Sequence, residues 1–213
     1  LVAAAAATVV PAAVQAQVNR CTGDDGRVRY TDRPCASLGL ARDAEASRRL
    51  SRVQVQQYDV GGLDGPSLEA SLAARGPGGF HGLADWEFVY DYRVAPTPEG
   101  RCRVTGVRTG ITGRILVPRW TDEAKAPPGL RAAWQRYLDA LMRHEEGHIA
   151  NGQSLTRALA HDIGGATGPD CKTLRADIDA MAGRLIDDHQ ARDRRYDAET
   201  GHGATQGARF TWP

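Results

Sequence analysis

The sequence predicts an α+β fold, a mainly antiparallel twisted sheet followed by two helices, and three observations carry that prediction. A central stretch alternates aromatic and polar residues with a period of two. A later stretch switches to the helical period of about 3.6. Clusters of glycine and proline separate the runs.

Taken in order, the first residues, LVAAAAATVVPAAVQAQV, form an Ala and Val run ending in Val14-Gln15-Ala16. Small residues at that point fit a signal-peptidase site, with cleavage expected after Ala16, so residues 1–16 are assigned to a signal-peptide remnant. Pro11 breaks the run and its apolar part is short for a membrane crossing. The expectation is an exported protein, periplasmic or extracellular, with no membrane span in the mature chain.

Residues 17–48 read as a small hairpin module and linker. A strand-like VRY follows the turn signal Asp24-Asp25-Gly26, and a second turn surrounds Arg33-Pro34. Four cysteines, Cys21, Cys35, Cys102 and Cys171, are an even number in a chain that reads as exported, which favours disulfides. Three pairings are open. Cys21 with Cys35 is preferred because the two bracket one short segment, and Cys102 with Cys171 because both lie in the larger region. No Cys-x-x-Cys spacing supports a thiolate metal site.

Residues 49–213 make the main domain. SRVQVQQYDV alternates as a strand, glycine turns lead to a short helix in SLEASLAAR, and GPGGFHG reads as a loop. DWEFVYDYRV then places Trp86, Phe88, Tyr90, Tyr92 and Val94 on one face of a strand. CRVTGV and TGRILVP predict two more strands. After Pro127-Pro128-Gly129 a helix is predicted over about 130–161, with Gly164-Gly165 as its stop, and a second over about 172–195. The remainder, YDAETGHGATQGARFTWP, reads as irregular.

Lysines and arginines number 27 against 26 acidic residues. So even a balance provides no field to gather nucleic acid or an anionic membrane, and neither is expected as a partner.

The chemistry concentrates in His144-Glu145-Glu146-Gly147-His148. Histidines four apart on a helix project from nearly the same face and can reach one ion. Glu145, offset by one step, is placed to act on a water without being a ligand, and is the expected general base. Zinc suits two imidazoles plus a third nitrogen or oxygen ligand. That third ligand is not fixed by the residues alone. Asn151 and Ser154 stand where a metzincin would have its glycine and third histidine, and residues 171–195 contain no Glu. Asp177, Asp179, Asp187, Asp188, His189 and His202 are left as candidates. Flanking glycines favour His202, whereas His189 reads better as the end of a core stripe. His161 reads as a solvent-facing residue at a helix end, and His81 as a loop residue near substrate.

The run from Trp134 through Tyr137 and Leu141 to HEEGH, followed by YDAETGHGATQGA, resembles a bacterial family described as predicted secreted zinc-dependent proteases, domain of unknown function 922. The resemblance covers about residues 50–213, including the strand with Trp86 and the pair Cys102 and Cys171. It implies a zincin-like peptidase domain, with His144, His148 and His202 as zinc ligands and Glu145 as the catalytic residue. Separately, Gly26, Tyr30, Asp32 and Pro34 lie in a run that resembles a short module of unknown function in exported bacterial proteins.

The function expected from these readings is a secreted zinc-dependent metallopeptidase, a monomer, acting on a peptide or protein substrate. Glu145 would accept a proton from a zinc-activated water and pass it to the leaving amine. Tyr196 would donate to the oxyanion, and Asp197 would orient a ligand imidazole from behind. The alternative is a non-catalytic, zinc-stabilised cell-envelope interaction module.

Overall fold

A computed structural model describes residues 53–212, together with the backbone of three short strands at 19–22, 28–31 and 41–42. The signal-peptide assignment and the expected Cys21–Cys35 disulfide lie outside the described residues. The short strands β1 (Asn19–Thr22), β2 (Val28–Thr31) and β3 (Ala41–Arg42) form an antiparallel sheet in the order β2-β1-β3. The hairpin expected around VRY is therefore present, with Thr22 opposite Val28.

The main sheet is built from β4 (Val53–Val60), β5 (Leu83–Pro96) and β6 (Cys102–Trp120), in the order β4-β6-β5. A two-residue strand, β7 (Thr167–Gly168), pairs antiparallel with the start of β6. β5 and β6 form the long antiparallel hairpin that the aromatic alternation anticipates. The sheet is nonetheless mixed, because β4 runs parallel to β6. The 41 residues between them, 61–101, hold a helix and all of β5, and parallel pairing requires such a long connection. The two strands read separately in CRVTGV and TGRILVP are one continuous strand of 19 residues. Its ladder to β5 carries it through Gly110, which lies between the two runs.

Three α-helices among the described residues complete the fold. The first, α1 (Gly65–Arg75), starts with a capping box in which the Asp64 carboxylate accepts from the Ser67 amide. The second, α2 (Pro128–Gly164), begins at the expected Pro-Pro-Gly turn and ends at the expected Gly164-Gly165 stop. The third, α3 (Cys171–Thr200), is capped by Asp170, whose carboxylate accepts from the Lys172 and Thr173 amides at 2.8 Å. It runs five residues beyond the expected end and stops only at Gly201, which takes the left-handed conformation.

Helix α2 lies across the sheet and divides the core in two. Its first half packs Leu130, Trp134, Tyr137 and Leu141 against Val60, Ile115 and Val117, with Leu68 and Leu72 of α1 and Phe210 from the tail. Its second half packs Leu155, Leu159 and Ile163 against Leu174, Ile178 and Ala182 of α3. At roughly 1.5–3 kcal/mol for each large apolar side chain buried, these clusters fix α2 rigidly. The disulfide Cys102–Cys171 then ties the start of β6 to the start of α3 across a sequence separation of 69. No helix among the described residues is long and apolar enough to cross a membrane.

Candidate metal centre

Three segments meet over the middle of α2. The helix itself presents His144, Glu145 and His148, all buried. The last turns of α3 present Asp193 and Asp197, four residues apart and so on one face. The turn after α3 presents His202 and Gln206, with Gly201, His202 and Gly203 all at positive φ. Three successive left-handed residues fold the chain back over the helix, and His202 is the only non-glycine among the described residues to adopt that conformation.

Asp197 Oδ1 is the meeting point. It lies 3.2 Å from His144 Nε2, 3.0 Å from His148 Nε2 and 3.5 Å from His202 Nδ1. Ligand atoms of His144, His148 and Asp197 all fall within 4.8 Å of one another, the spacing of a group able to bind a metal ion. His202 stands at the rim of this group, its side chain 52 % exposed and its ring 4.5 Å from that of Phe80.

The far nitrogens of the two buried imidazoles also have partners. Nδ1 of His144 lies 3.0 Å from Gln206 Oε1, a carbonyl oxygen that can only accept. A proton on Nδ1 would donate to that oxygen and leave Nε2 available to a metal ion, whereas without an ion the Asp197 carboxylate beside Nε2 favours a proton there. Nδ1 of His148 lies 3.1 Å from Asp193 Oδ1. The distance is that of an ion pair but the angle is off-line for a hydrogen bond, so the contact is chiefly electrostatic. Asp193 is itself held by the Asn151 side-chain amide at 3.0 Å.

These surroundings move the protonation equilibria apart. Burial lowers the pKa of His144 below the ordinary imidazole value. Burial acts the same way on His148, but the carboxylates of Asp193, Asp197 and Glu145 outweigh it and raise the pKa. Glu145 is only 4 % exposed, and burial pushes its carboxyl up to about 7. The Ala84 backbone at the start of β5 hydrogen-bonds to that carboxyl. Gly82 permits the approach, since a Cβ there would lie 2.3 Å from Glu145 Oε1.

The fourth residue of the HEEGH run has a definite purpose. A Cβ on Gly147 would lie 2.3 Å from the Tyr196 hydroxyl, so only glycine lets that ring lie against the helix. Tyr196 stacks on His144 with ring centroids 5.0 Å apart and meets His148 edge-on. Its hydroxyl donates to the His144 carbonyl and accepts from Gln206 Nε2. Tyr196 thus lies behind the imidazoles, bound to the same glutamine that orients His144.

His189 is buried with Nδ1 donating to the Leu185 carbonyl, outside the histidine and aspartate group. His161 is exposed beside Asp162, and His81 lines the cleft edge-on to Tyr137. Sequence reasoning missed Asp193, Gln206 and Asn151. The first had a signal: no glycine or proline interrupts DDHQARDRRYDAET before Gly201, so a helix carried to that stop puts Asp193 and Asp197 one turn apart.

A cleft of about 500 Å³ opens onto Glu145, His144, His148 and Asp197 between the loop holding Phe80 to Leu83 and the turn holding His202. The donor set fits a divalent cation: two imidazole nitrogens and one carboxylate oxygen, contacting at 3.0 and 3.2 Å. Those separations are close to the edge of about 3.3 Å in a tetrahedron with bonds of about 2.0 Å.

Residues 2–58 match a family described as a domain of unknown function (DUF4124). No curated protein and no solved structure matches the chain. Residues 55–203, more than half of the chain, match a family described as bacterial protein of unknown function (DUF922), and the match contains His144, Glu145, His148, Asp193, Asp197 and His202. The chain belongs to this DUF922 family.

Proposed function

We propose that the chain is an exported zinc-dependent peptidase with a zincin-like catalytic domain, in which His144, His148 and Asp197 hold the metal. The observation that carries this reading is the convergence of both Nε2 atoms of the HEEGH helix on Asp197 Oδ1, with Glu145 buried in the same cleft. Two imidazoles and one carboxylate leave a fourth position for water, which is the pattern of a catalytic rather than a closed structural site. Zinc bound there would polarise the scissile carbonyl and lower the pKa of a water.

The chain's own residues divide the remaining work. Glu145 accepts the proton from that water and returns it to the leaving amine, and its burial matches it to proton transfer near neutral pH. Asp193 and Gln206 hold the two imidazoles with Nε2 facing the cleft. Tyr196, stacked behind His144, positions rather than reacts. His202 closes the solvent side of Asp197.

The test is digestion of a peptide library by the zinc-loaded full chain, read by mass spectrometry, beside Glu145→Gln. The expected result is cleavage that falls by about 10²–10⁴-fold in the variant while its zinc content stays unchanged. Equal cleavage by Glu145→Gln contradicts the reading.

A further inference from the structure

On the side of α2 away from β5 lies a second cavity, of about 720 Å³, between the helix and the tail that follows Gln206. Arg136 and Arg143 line it from α2, seven residues and therefore two turns apart on one face. Arg209 completes it from the tail, and also lines the cleft that holds Glu145 and the two histidines. Arg209 is thus common to the linings of the two cavities.

The wall carrying Arg209 is fixed. Phe210 beside it is buried against Trp134 and Tyr137, and Gly207 before it turns in the left-handed conformation. Gln206, on the same wall, bonds His144 Nδ1. None of the three arginines forms an ion pair with a described residue. The carboxylate among the described lining residues, Asp139, accepts from Gln135 Nε2 at 2.8 Å. Across the cleft the charge reverses, with Asp193 lining a groove along β5. Arg136, Arg143 and Arg209 are exposed at the rim, and three guanidiniums against the one described lining carboxylate, Asp139, leave the cavity a net positive charge in a chain whose charges nearly cancel. Guanidinium is always charged, weakly hydrated and shaped to take a carboxylate in two parallel hydrogen bonds.

We infer that this arginine-lined cavity, which shares Arg209 with the metal cleft, is a specificity pocket for a carboxylate of the substrate. The inference rests on the peptidase reading for the word substrate, and the pocket's binding chemistry can be measured apart from it. The carboxylate is either an acidic side chain or the free end of a peptide, and both present the same planar pair of oxygens.

Binding is read by fluorescence anisotropy on zinc-loaded Glu145→Gln full chain, with a labelled Ala-rich hexapeptide ending in Glu-Glu. Its Gln-Gln isostere and its C-terminally amidated form serve as comparisons. The expected result is binding about tenfold tighter for the Glu peptide than for the Gln isostere. That preference should fall to within about twofold in Arg143→Gln/Arg209→Gln on the same background, and recover in part in Arg143→Lys/Arg209→Lys. Loss of affinity on amidation identifies the terminal carboxylate, and unchanged affinity identifies the side chains. Equal binding of the Glu and Gln peptides, including no detectable binding of either, overturns the inference, as does a preference that survives in the double Gln variant. Digestion by the wild-type chain is followed separately. Charge preference without cleavage leaves the pocket standing and removes the peptidase, whereas cleavage without charge preference does the reverse.

Discussion

Asp197 Oδ1 lies 3.0 Å from His148 Nε2, although 49 residues separate the two in sequence. The contact exists because α3 continues past Arg195 for five more residues, carrying Asp197 back to the middle of α2. It places a carboxylate, not a third imidazole, at the centre of the histidine group. His202, at 3.5 Å from the same oxygen, takes the outer position.

Asp193 supports that group from behind His148. Asp193→Asn removes the charge while keeping the shape, and is expected to weaken zinc binding by about 10–100-fold. Competition against a chromogenic chelator measures this directly. Affinity within a factor of two of the wild type would mean that Asp193 does not orient the imidazole.

Gly147→Ala places a Cβ where the Tyr196 hydroxyl stands. Crowding of this kind costs about 1–3 kcal/mol, read as a fall in the denaturation midpoint. Adding Tyr196→Ala to the same chain removes the obstruction. The cost of the pair is then expected to be smaller than the sum of the two single costs. Simple additivity would show that the two residues do not meet.

Cys102→Ser/Cys171→Ser opens a loop closed across a separation of 69 residues. The chain-entropy relation gives about 4 kcal/mol for a loop of that size, corresponding to a fall of roughly 10 °C in thermal midpoint. Calorimetry of the variant beside the oxidised wild type checks it. A midpoint unchanged by the double substitution would show that the crosslink does not constrain the unfolded chain.

The metal-free and metal-bound proteins are expected to respond to pH with opposite signs. Burial raises the Glu145 pKa from 4.5 to about 7, so its contribution to stability is present below pH 4.5 and is lost as pH rises through about 7. The change is roughly 3 kcal/mol. His148, also raised, acts in the same direction around its higher folded pKa. His144, lowered by burial, opposes them. Metal-free protein should therefore lose stability between pH 5 and pH 8, while the added stability from zinc grows, because the metal needs unprotonated ligands. Urea titrations with and without zinc at a series of pH values test both slopes. A metal-free protein that gains stability over this range contradicts the burial of Glu145.

Much of this architecture was legible wherever the pattern is local. The alternating aromatics announced β5, and the Pro-Pro-Gly turn and Gly164-Gly165 bracketed α2. The HEEGH spacing alone placed His144, Glu145 and His148 on one helix. What stayed hidden depends on distant residues. Parallel pairing of β4 with β6 leaves no periodic trace in either strand. Gly110, between the two runs, made β6 look like two strands, because a local reading weighs its poor strand preference and cannot weigh the ladder to β5. Ending α3 near residue 195 separated Asp193 from Asp197, and with it the relation that makes both useful. Gln206 had no signal at all, since a glutamine in a glycine-rich tail becomes informative only when three left-handed residues turn it onto His144.

The most direct measurement is metal content by mass spectrometry on purified full chain reconstituted with zinc, for wild type, Asp197→Ala, His202→Ala and Glu145→Gln. The account predicts close to one zinc in the wild type, retained in His202→Ala and Glu145→Gln and lost in Asp197→Ala. Zinc retained without Asp197 but lost without His202 would transfer the third ligand to the histidine, and a wild type that binds no zinc would contradict the metal centre altogether.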